Sequence, residues 1–161
     1  MISTVRIYTD GSCHADLLIG AWAAIIFVEN EKFVLSGILF ETTHQRMELT
    51  AAIKALEYVR TRFNDVTSVD LQTDSQYVAG MLSRSDKLVS HNFLTKNGQG
   101  LRNQDLVISW LELNKYMSIT TDKIKSHQKI SEYTKYNIEV DKLSRKLVRD
   151  AVNKMTKSQV I

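Results

Sequence analysis

The sequence predicts an α/β domain built around a mixed β-sheet. Three segments near the N-terminus have the length and the residue types of strands. The spacing of apolar residues then becomes helical, and shorter strands alternate with helices, in the order β-β-β-α-β-α-α-β-α. Strands joined by tight turns pair antiparallel, whereas strands joined through helices return parallel, so we expect both arrangements in the sheet.

The first quarter of the chain contains three predicted strands, at Val5 to Ser12, Gly20 to Glu29 and Lys32 to Glu41. Each is dominated by apolar residues and is short enough to be one strand. The two residues between the second and third strands suit a tight hairpin. We therefore expect these three strands to form an antiparallel meander.

A long helix is predicted after Thr43. Its apolar residues recur at intervals of three or four positions: Leu49, Ala52, Leu56, Val59 and Phe63. Thr42 or Thr43 suits its N-cap, because a threonine hydroxyl accepts from free backbone N–H groups. The remaining predicted elements are a strand at Val66 to Thr73, a short helix at Ser75 to Ser83, a partly irregular stretch at Arg84 to Arg102, a helix at Asn103 to Asn114, a strand at Met117 to Ser126, and a last helix with Val140, Leu143, Leu147 and Ala151 on one face.

Length and composition are those of one globular domain, with 161 residues of which 43% are hydrophobic. No stretch approaches the roughly 18 apolar residues of a membrane span, and the N-terminus lacks a signal-peptide pattern. Cys13 is the only cysteine, which fits a reducing compartment, so we expect a cytoplasmic protein. From Lys123 onward ten Lys or Arg stand against four Asp or Glu, and this basic end hints at a polyanionic partner.

Four acidic residues lie near the ends of predicted elements: Asp10, Glu48, Asp74 and Asp141. Asp10 and Asp74 end the first and fourth strands, so both reach one edge of the sheet if those strands are parallel neighbours. Carboxylates at the edge of a core are unfavourable unless something compensates their charge. Hard cations such as Mg²⁺ or Mn²⁺ prefer all-oxygen ligands, so a metal site at this edge is one explanation.

Each of these carboxylates also has an ordinary structural explanation. Asp10 could cap a turn, and Asp74 could cap the helix that follows it. Glu48 could complement a helix dipole, and Asp141 could pair with a basic residue later in its helix. The spacing of the four residues along the chain does not decide between these explanations and a metal site.

Several motifs resemble, in the same order, the successive motifs of type 1 ribonuclease H. They are YTDGSC, THQRMEL with AAIKALE, TDSQYV, NQDL, and SH followed by NIEVDKLSRK, and they span Tyr8 to Lys146. The resemblance implies the ribonuclease H-like fold, a five-stranded mixed sheet with three antiparallel and two parallel strands flanked by helices. Because Asp10 comes so early, we expect a single catalytic domain over residues 1–161, without a separate N-terminal hybrid-binding domain, as in stand-alone bacterial members.

The resemblance implies an endonuclease that hydrolyses the RNA strand of an RNA–DNA hybrid and leaves 5′-phosphate and 3′-hydroxyl ends. It implies two Mg²⁺ ions, with Mn²⁺ as an alternative, held by Asp10, Glu48, Asp74 and Asp141. His127 matches a family histidine that assists proton transfer or product release, and a pKa near neutrality suits either role. The implied partner is the hybrid duplex; we expect no membrane association, no obligate protein partner and a monomer.

Substrate contacts are also implied by motif position. The candidates for the RNA strand are Gly11, Cys13, His44, Gln45 and Gln76. Thr43 and Asn103 match a DNA-phosphate pocket and lie near helix starts, where backbone N–H groups favour anions. The stretch after Arg84 matches a basic protrusion, with the cationic residues Arg84, Lys87, Lys96 and Arg102.

The chain departs from the family pattern in four places. HADLLIG replaces the usual loop after Cys13, and His44 replaces a typical amide. The loop between His127 and Asp141 is longer than in common bacterial members, and the predicted protrusion contains no tryptophan.

Three other functions fit parts of the pattern. A 3′→5′ exonuclease of the same superfold would carry different acidic motifs, and TDSQYV argues against it. The chain could also be the nuclease domain of a reverse transcriptase, or a module that binds hybrids without cleaving them. The last would need a defect elsewhere, because all four carboxylates are present.

Overall fold

The structure is a computed structural model that describes residues 4–92, 102–124, 131 and 134–158. Within them lie five strands: β1 (Val5–His14), β2 (Ile19–Val28), β3 (Glu31–Leu39), β4 (Ser68–Thr73) and β5 (Ser118–Lys123). The same part of the chain contains five helices: α1 (His44–Arg62), α2 (Gln76–Ala79), α3 (Met81–Ser90), α4 (Gln104–Asn114) and α5 (Lys135–Ser158).

The strands form one sheet in the order β3-β2-β1-β4-β5. β1 pairs antiparallel with β2, and β2 pairs antiparallel with β3. β4 lies parallel to β1 on its other side, and β5 lies parallel to β4. The predicted meander and the mixed sheet are both confirmed. The first and fourth strands are indeed parallel neighbours, which brings their carboxyl ends to one edge.

The two faces of the sheet pack against different helices. Val5 and Ile7 of β1 contribute to the larger core, together with residues of α1 and α4 that include the fully buried Trp110. Tyr8 contributes to a smaller core on the opposite face, where Val140 of α5 packs. Because successive strand residues point to opposite faces, Asp10 lies on the same face as Tyr8 and α5.

Two helices replace the single short helix predicted after the fourth strand. Ser75 caps α2, and Gly80 ends α2 and leads directly into α3. The stretch predicted from Arg84 as irregular or partly helical is helical as far as Ser90, and Leu88 packs against the larger core. The start of β4 is also later than predicted, because the Val66 N–H still donates to a turn carbonyl after α1.

The buried stripe of α5 differs from the predicted one. Its buried residues are Asn137, Val140, Ser144 and Val148. Leu143, Leu147 and Ala151 are only half-buried. The small side chain of Ser144 is fully buried in α5, a helix that lies over β1 and β2, and such a side chain permits close approach. Among the described helices, none combines the length and hydropathy needed to cross a membrane.

Candidate active site

Four acidic residues from separate elements meet at the edge of the sheet. Asp10 lies in β1, Asp74 directly follows β4, Glu48 lies in the second turn of α1, and Asp141 lies in α5. One carboxylate oxygen from each of Asp10, Glu48 and Asp74 lies within 4.8 Å of the others. Asp141 lines the same cavity, which has a volume of about 580 Å³. The tertiary structure thus places all four predicted carboxylates at one site.

Gly11 allows α1 to approach β1 just beyond the last residue that pairs with β4, which is Thr9. A Cβ atom at this position would lie 2.4 Å from the Glu48 backbone nitrogen and 2.4 Å from the Met47 carbonyl carbon. Only a residue without a side chain fits this contact, which sets Glu48 beside Asp10. The Gly11 N–H also donates to Asp10 Oδ1 at 2.9 Å, and Gly11 lines the cavity.

Burial and mutual repulsion govern the charge of Asp10, which is only 5% exposed. Burial, followed by the nearby charge of Asp74 and a hydrogen bond with the Asp141 side chain, raises the pKa of Asp10 to about 9. Burial and the charges of Glu48 and Asp141 also raise the pKa of Asp74. The carboxylates therefore resist simultaneous ionisation unless a cation compensates them. This all-oxygen donor set fits a hard divalent metal ion.

The two oxygens of the Glu48 carboxylate contact a serine hydroxyl and a histidine ring. Ser75 Oγ donates to Glu48 Oε2 at 2.5 Å, and His44 Nε2 lies 2.7 Å from Glu48 Oε1. The hydrogen bond with Glu48 raises the pKa of His44. Ser75 also caps α2 by accepting from the Val78 N–H. The suggestion that Asp74 caps this helix is therefore wrong, and the role of Ser75 beside Glu48 was not predicted.

Asp141 has both a structural partner and a place at the site. Arg145 Nε donates to Asp141 Oδ1 at 3.0 Å, one helical turn later. The predicted ion pair between Asp141 and a basic residue later in its helix is therefore confirmed. Because Asp141 also lines the cavity and contributes to the raised pKa of Asp10, the pair does not remove it from the site.

Thr43 and Asn103 lie on either side of Arg46. Thr43 caps α1 by accepting from the Arg46 N–H at 3.2 Å. The Arg46 guanidinium donates to Asn103 Oδ1 at 3.3 Å and makes two hydrogen bonds with Asp105, at 2.9 and 2.8 Å. Arg46 therefore connects the two predicted phosphate-binding residues. It lies inside the THQRMEL motif, yet sequence reasoning did not single it out.

The other predicted substrate residues are spread around this edge. Cys13 is half-buried, with Sγ 3.6 Å from the carbonyl oxygens of His14 and Thr42. Gln45 and Gln76 are exposed and lie outside the cavity lining, whereas the unpredicted His14 lies within it.

The predicted basic protrusion begins on α3. Arg84 is engaged locally, since its guanidinium donates to the carbonyl oxygens of Tyr77 and Gly80 and lies over the Tyr77 ring. Lys87 and Arg102 are exposed. Lys96 and His127 lie outside the described residues.

Comparisons with known proteins agree with this geometry. The family pattern described as RNase H matches residues 3–149. A ribonuclease H of Wolbachia sp. subsp. Drosophila simulans (strain wRi) is 35% identical over 151 residues, covering 91% of this chain and 97% of that protein. A ribonuclease H of Chlorobium luteolum is 33% identical over 151 residues, covering 92% of this chain and 98% of its own length.

Solved structures share the fold at lower identity. LC9-RNase H1, a type 1 RNase H with the type 2 active-site motif, has a TM-score of 0.78 at 17% identity, covering 93% of this chain and 74% of that one. A foamy viral protease-reverse transcriptase in complex with RNA/DNA hybrid has a TM-score of 0.70 at 19% identity, covering 88% of this chain and 19% of that one. Together, the motif order, the family match and the relatives place this chain in the ribonuclease H family.

Proposed function

We propose that this protein is an endonuclease that hydrolyses the RNA strand of RNA–DNA hybrids and leaves 5′-phosphate and 3′-hydroxyl ends. The observation that carries the proposal is the convergence of the Asp10, Glu48 and Asp74 oxygens within 4.8 Å, in a chain matched by the ribonuclease H family over residues 3–149. An isolated acidic cluster would not specify a substrate, whereas each of these carboxylates lies within one of the motifs that resemble the family's.

The all-oxygen donor set supports a hard divalent cation, and with the family resemblance it leads us to propose a two-metal mechanism with Mg²⁺, and Mn²⁺ as an alternative. When bound, the two cations supply activation of the attacking water and neutralisation of charge on the leaving 3′ oxygen. Asp10, at the centre of the cluster, would contribute to both cation sites. Asp74 would complete the site nearer the water, and Glu48 and Asp141 would complete the other.

The rest of the site would bind and orient the hybrid. Thr43 and Asn103 would hold a phosphate of the DNA strand, with Arg46, whose charge is paired with Asp105, keeping their relative position. The RNA strand would lie along the cavity and meet the predicted contacts Gly11, Cys13, His44, Gln45 and Gln76. The exposed Lys87 and Arg102, together with Arg84 and Lys96, would contact the DNA backbone, and His127 would assist proton transfer or product release.

The organisation of the relatives favours a bacterial-type enzyme over a domain of a reverse transcriptase. The chain covers 97% and 98% of the length of two bacterial ribonucleases H at 33–35% identity. The foamy viral structures resemble it in fold. We therefore extend the proposal to a single catalytic domain over residues 1–161. The single cysteine supports a reducing compartment, and we propose that the protein acts in the cytoplasm as a monomer.

One cleavage assay tests the proposed function. Labelled RNA–DNA hybrid, duplex RNA and duplex DNA are incubated with the protein in Mg²⁺ or Mn²⁺, with the Asp10→Asn variant as control. We expect internal cleavage of the RNA strand of the hybrid alone, lost in the variant. Binding of the hybrid without cleavage in either metal would instead establish a non-cleaving module.

A further inference from the structure

We propose that His44 is a positioning residue that holds Glu48 for cation binding, an inference that rests on the proposed function. His44 and Glu48 lie one turn apart on α1, with His44 Nε2 at 2.7 Å from Glu48 Oε1. His44 stands where the motif of the resembled family has an amide, and both kinds of side chain can donate an N–H group.

The two oxygens of Glu48 are held from two different elements. Ser75, which precedes α2, donates to Oε2 at 2.5 Å, while His44 at the start of α1 engages Oε1. A glutamate side chain has three rotatable bonds, and its carboxylate is free to turn unless both ends are fixed. With donors on both oxygens, the carboxylate has one defined orientation toward Asp10 and Asp74.

Repulsion within the cluster makes this restraint important. Glu48 contributes to the raised pKa of Asp74, so the two carboxylates are close enough to repel each other. Without a donor on Oε1, the Glu48 side chain could rotate away from the other acids and toward solvent. A carboxylate oxygen has two lone pairs, so Oε1 can accept from His44 and still face a cation.

The exposure of the two donors separates their roles. Ser75 is only 4% exposed and also caps a helix, whereas the His44 side chain is 61% exposed at the mouth of the cavity. His44 can therefore be replaced with little effect on folding. Partners that orient metal ligands typically change metal affinity or activity by 10–100-fold when removed, and an exposed partner should lie at the lower end.

The test compares His44→Ala with His44→Gln, because glutamine keeps an N–H donor at similar reach. Mn²⁺ binding to the full chain is measured without nucleic acid by electron paramagnetic resonance. We expect the apparent Kd for Mn²⁺ to rise about tenfold in His44→Ala and to stay within about twofold in His44→Gln. His91→Ala is the matched histidine control, because its described contacts lie within α3 and at its end, and it should bind Mn²⁺ as the unmodified chain does.

Kinetics on hybrid provide the second readout. Positioning predicts that kcat at saturating hybrid falls about tenfold in His44→Ala, beside any rise in KM from its proposed RNA contact, and that His44→Gln restores kcat. A rise in KM with unchanged kcat and unchanged Mn²⁺ affinity would overturn the proposal, because His44 would then act through the RNA contact alone. Tighter Mn²⁺ binding by His44→Ala would overturn it too, since His44 would then compete with the cation. If the unmodified chain cleaves no hybrid, the proposed function fails, and the Mn²⁺ measurement still decides the role of His44.

Discussion

Two groups of carboxylates lie on this sheet, and the protein stabilises them in different ways. Asp70 and Asp122 lie on neighbouring strands, on a face where both are at least partly accessible to solvent. The side-chain amide of Gln72 donates to both, at 2.8 and 2.9 Å, and Arg6 Nε lies 3.3 Å from Asp70 Oδ2. We call Asp70 and Asp122 the compensated pair. Hydrogen-bond donors of the protein and water together balance the charge of these two carboxylates.

The acidic cluster of Asp10, Glu48, Asp74 and Asp141 is reached four residues beyond Asp70, where Asp74 follows β4 and meets side chains from β1, α1 and α5. Asp10 is 5% exposed, and burial together with the charge of Asp74 raises its pKa to about 9. Fixed donors reach Glu48 and Asp141, but they do not offset the repulsion that raises the pKa of Asp10 and Asp74. The comparison shows that residue type alone does not make a metal site. Burial, crowding and a deficit of compensating charge do.

The largest expected difference between the two groups is in activity. Asp74→Asn and Asp70→Asn remove equivalent charges four residues apart on the same segment. We expect kcat on hybrid to fall about 100- to 1000-fold in Asp74→Asn, because a preorganised electrostatic group is lost. Asp70→Asn should retain kcat within about twofold. Steady-state kinetics in Mg²⁺ measure kcat for both variants. Equal losses of kcat would show that the acidic cluster and the compensated pair do not differ in their role in catalysis.

The next largest difference is in the pH dependence of stability. Because the pKa of Asp10 rises from 3.8 unfolded to about 9 folded, the folded state binds more protons between those values. The free energy of unfolding of the metal-free protein should therefore fall as pH rises from about 4 to about 9, by on the order of a few kcal/mol. Urea unfolding in EDTA at about pH 5, 7 and 9 measures this change.

Two controls isolate the source of that pH dependence. Asp10→Asn should flatten the slope, whereas Asp70→Asn should leave it in place. Adding Mg²⁺ should restore stability at high pH, because cation binding requires ionised carboxylates. A slope that persists unchanged in Asp10→Asn would assign the titration to other groups.

The smallest expected effect concerns the compensated pair. Gln72→Ala removes the amide shared by Asp70 and Asp122, yet both carboxylates keep access to water. We expect a loss of less than about 1 kcal/mol in the free energy of unfolding, reduced further by salt, and no gain of Mn²⁺ affinity at this face. Urea unfolding at low and high salt, with Mn²⁺ titration, checks this. A loss above about 2 kcal/mol would show that the pair is as poorly solvated as the acidic cluster.

Much of the fold was predictable because its signals are local. The apolar composition and length of the segments identified the strands of the meander, and the spacing from Leu49 to Val59 identified the buried face of α1. The break at Gly80 was not predicted, because one glycine between apolar residues does not reveal how the chain turns. The buried stripe of α5 also depends on the surface it meets, and the small side chain of Ser144 carries no hydrophobic signal.

The sequence by itself determined the four carboxylates and the order of the motifs that carry them, since these are properties of residue type and spacing. Only the tertiary structure decided that parallel pairing of β1 with β4 and the bare Gly11 backbone bring Asp10, Asp74 and Glu48 within reach of one cation. The same holds for the hydrogen bonds of Ser75 and Arg46, which join residues 27 and more positions apart. Charge repulsion and its compensation act through distance in space, which a linear sequence does not contain.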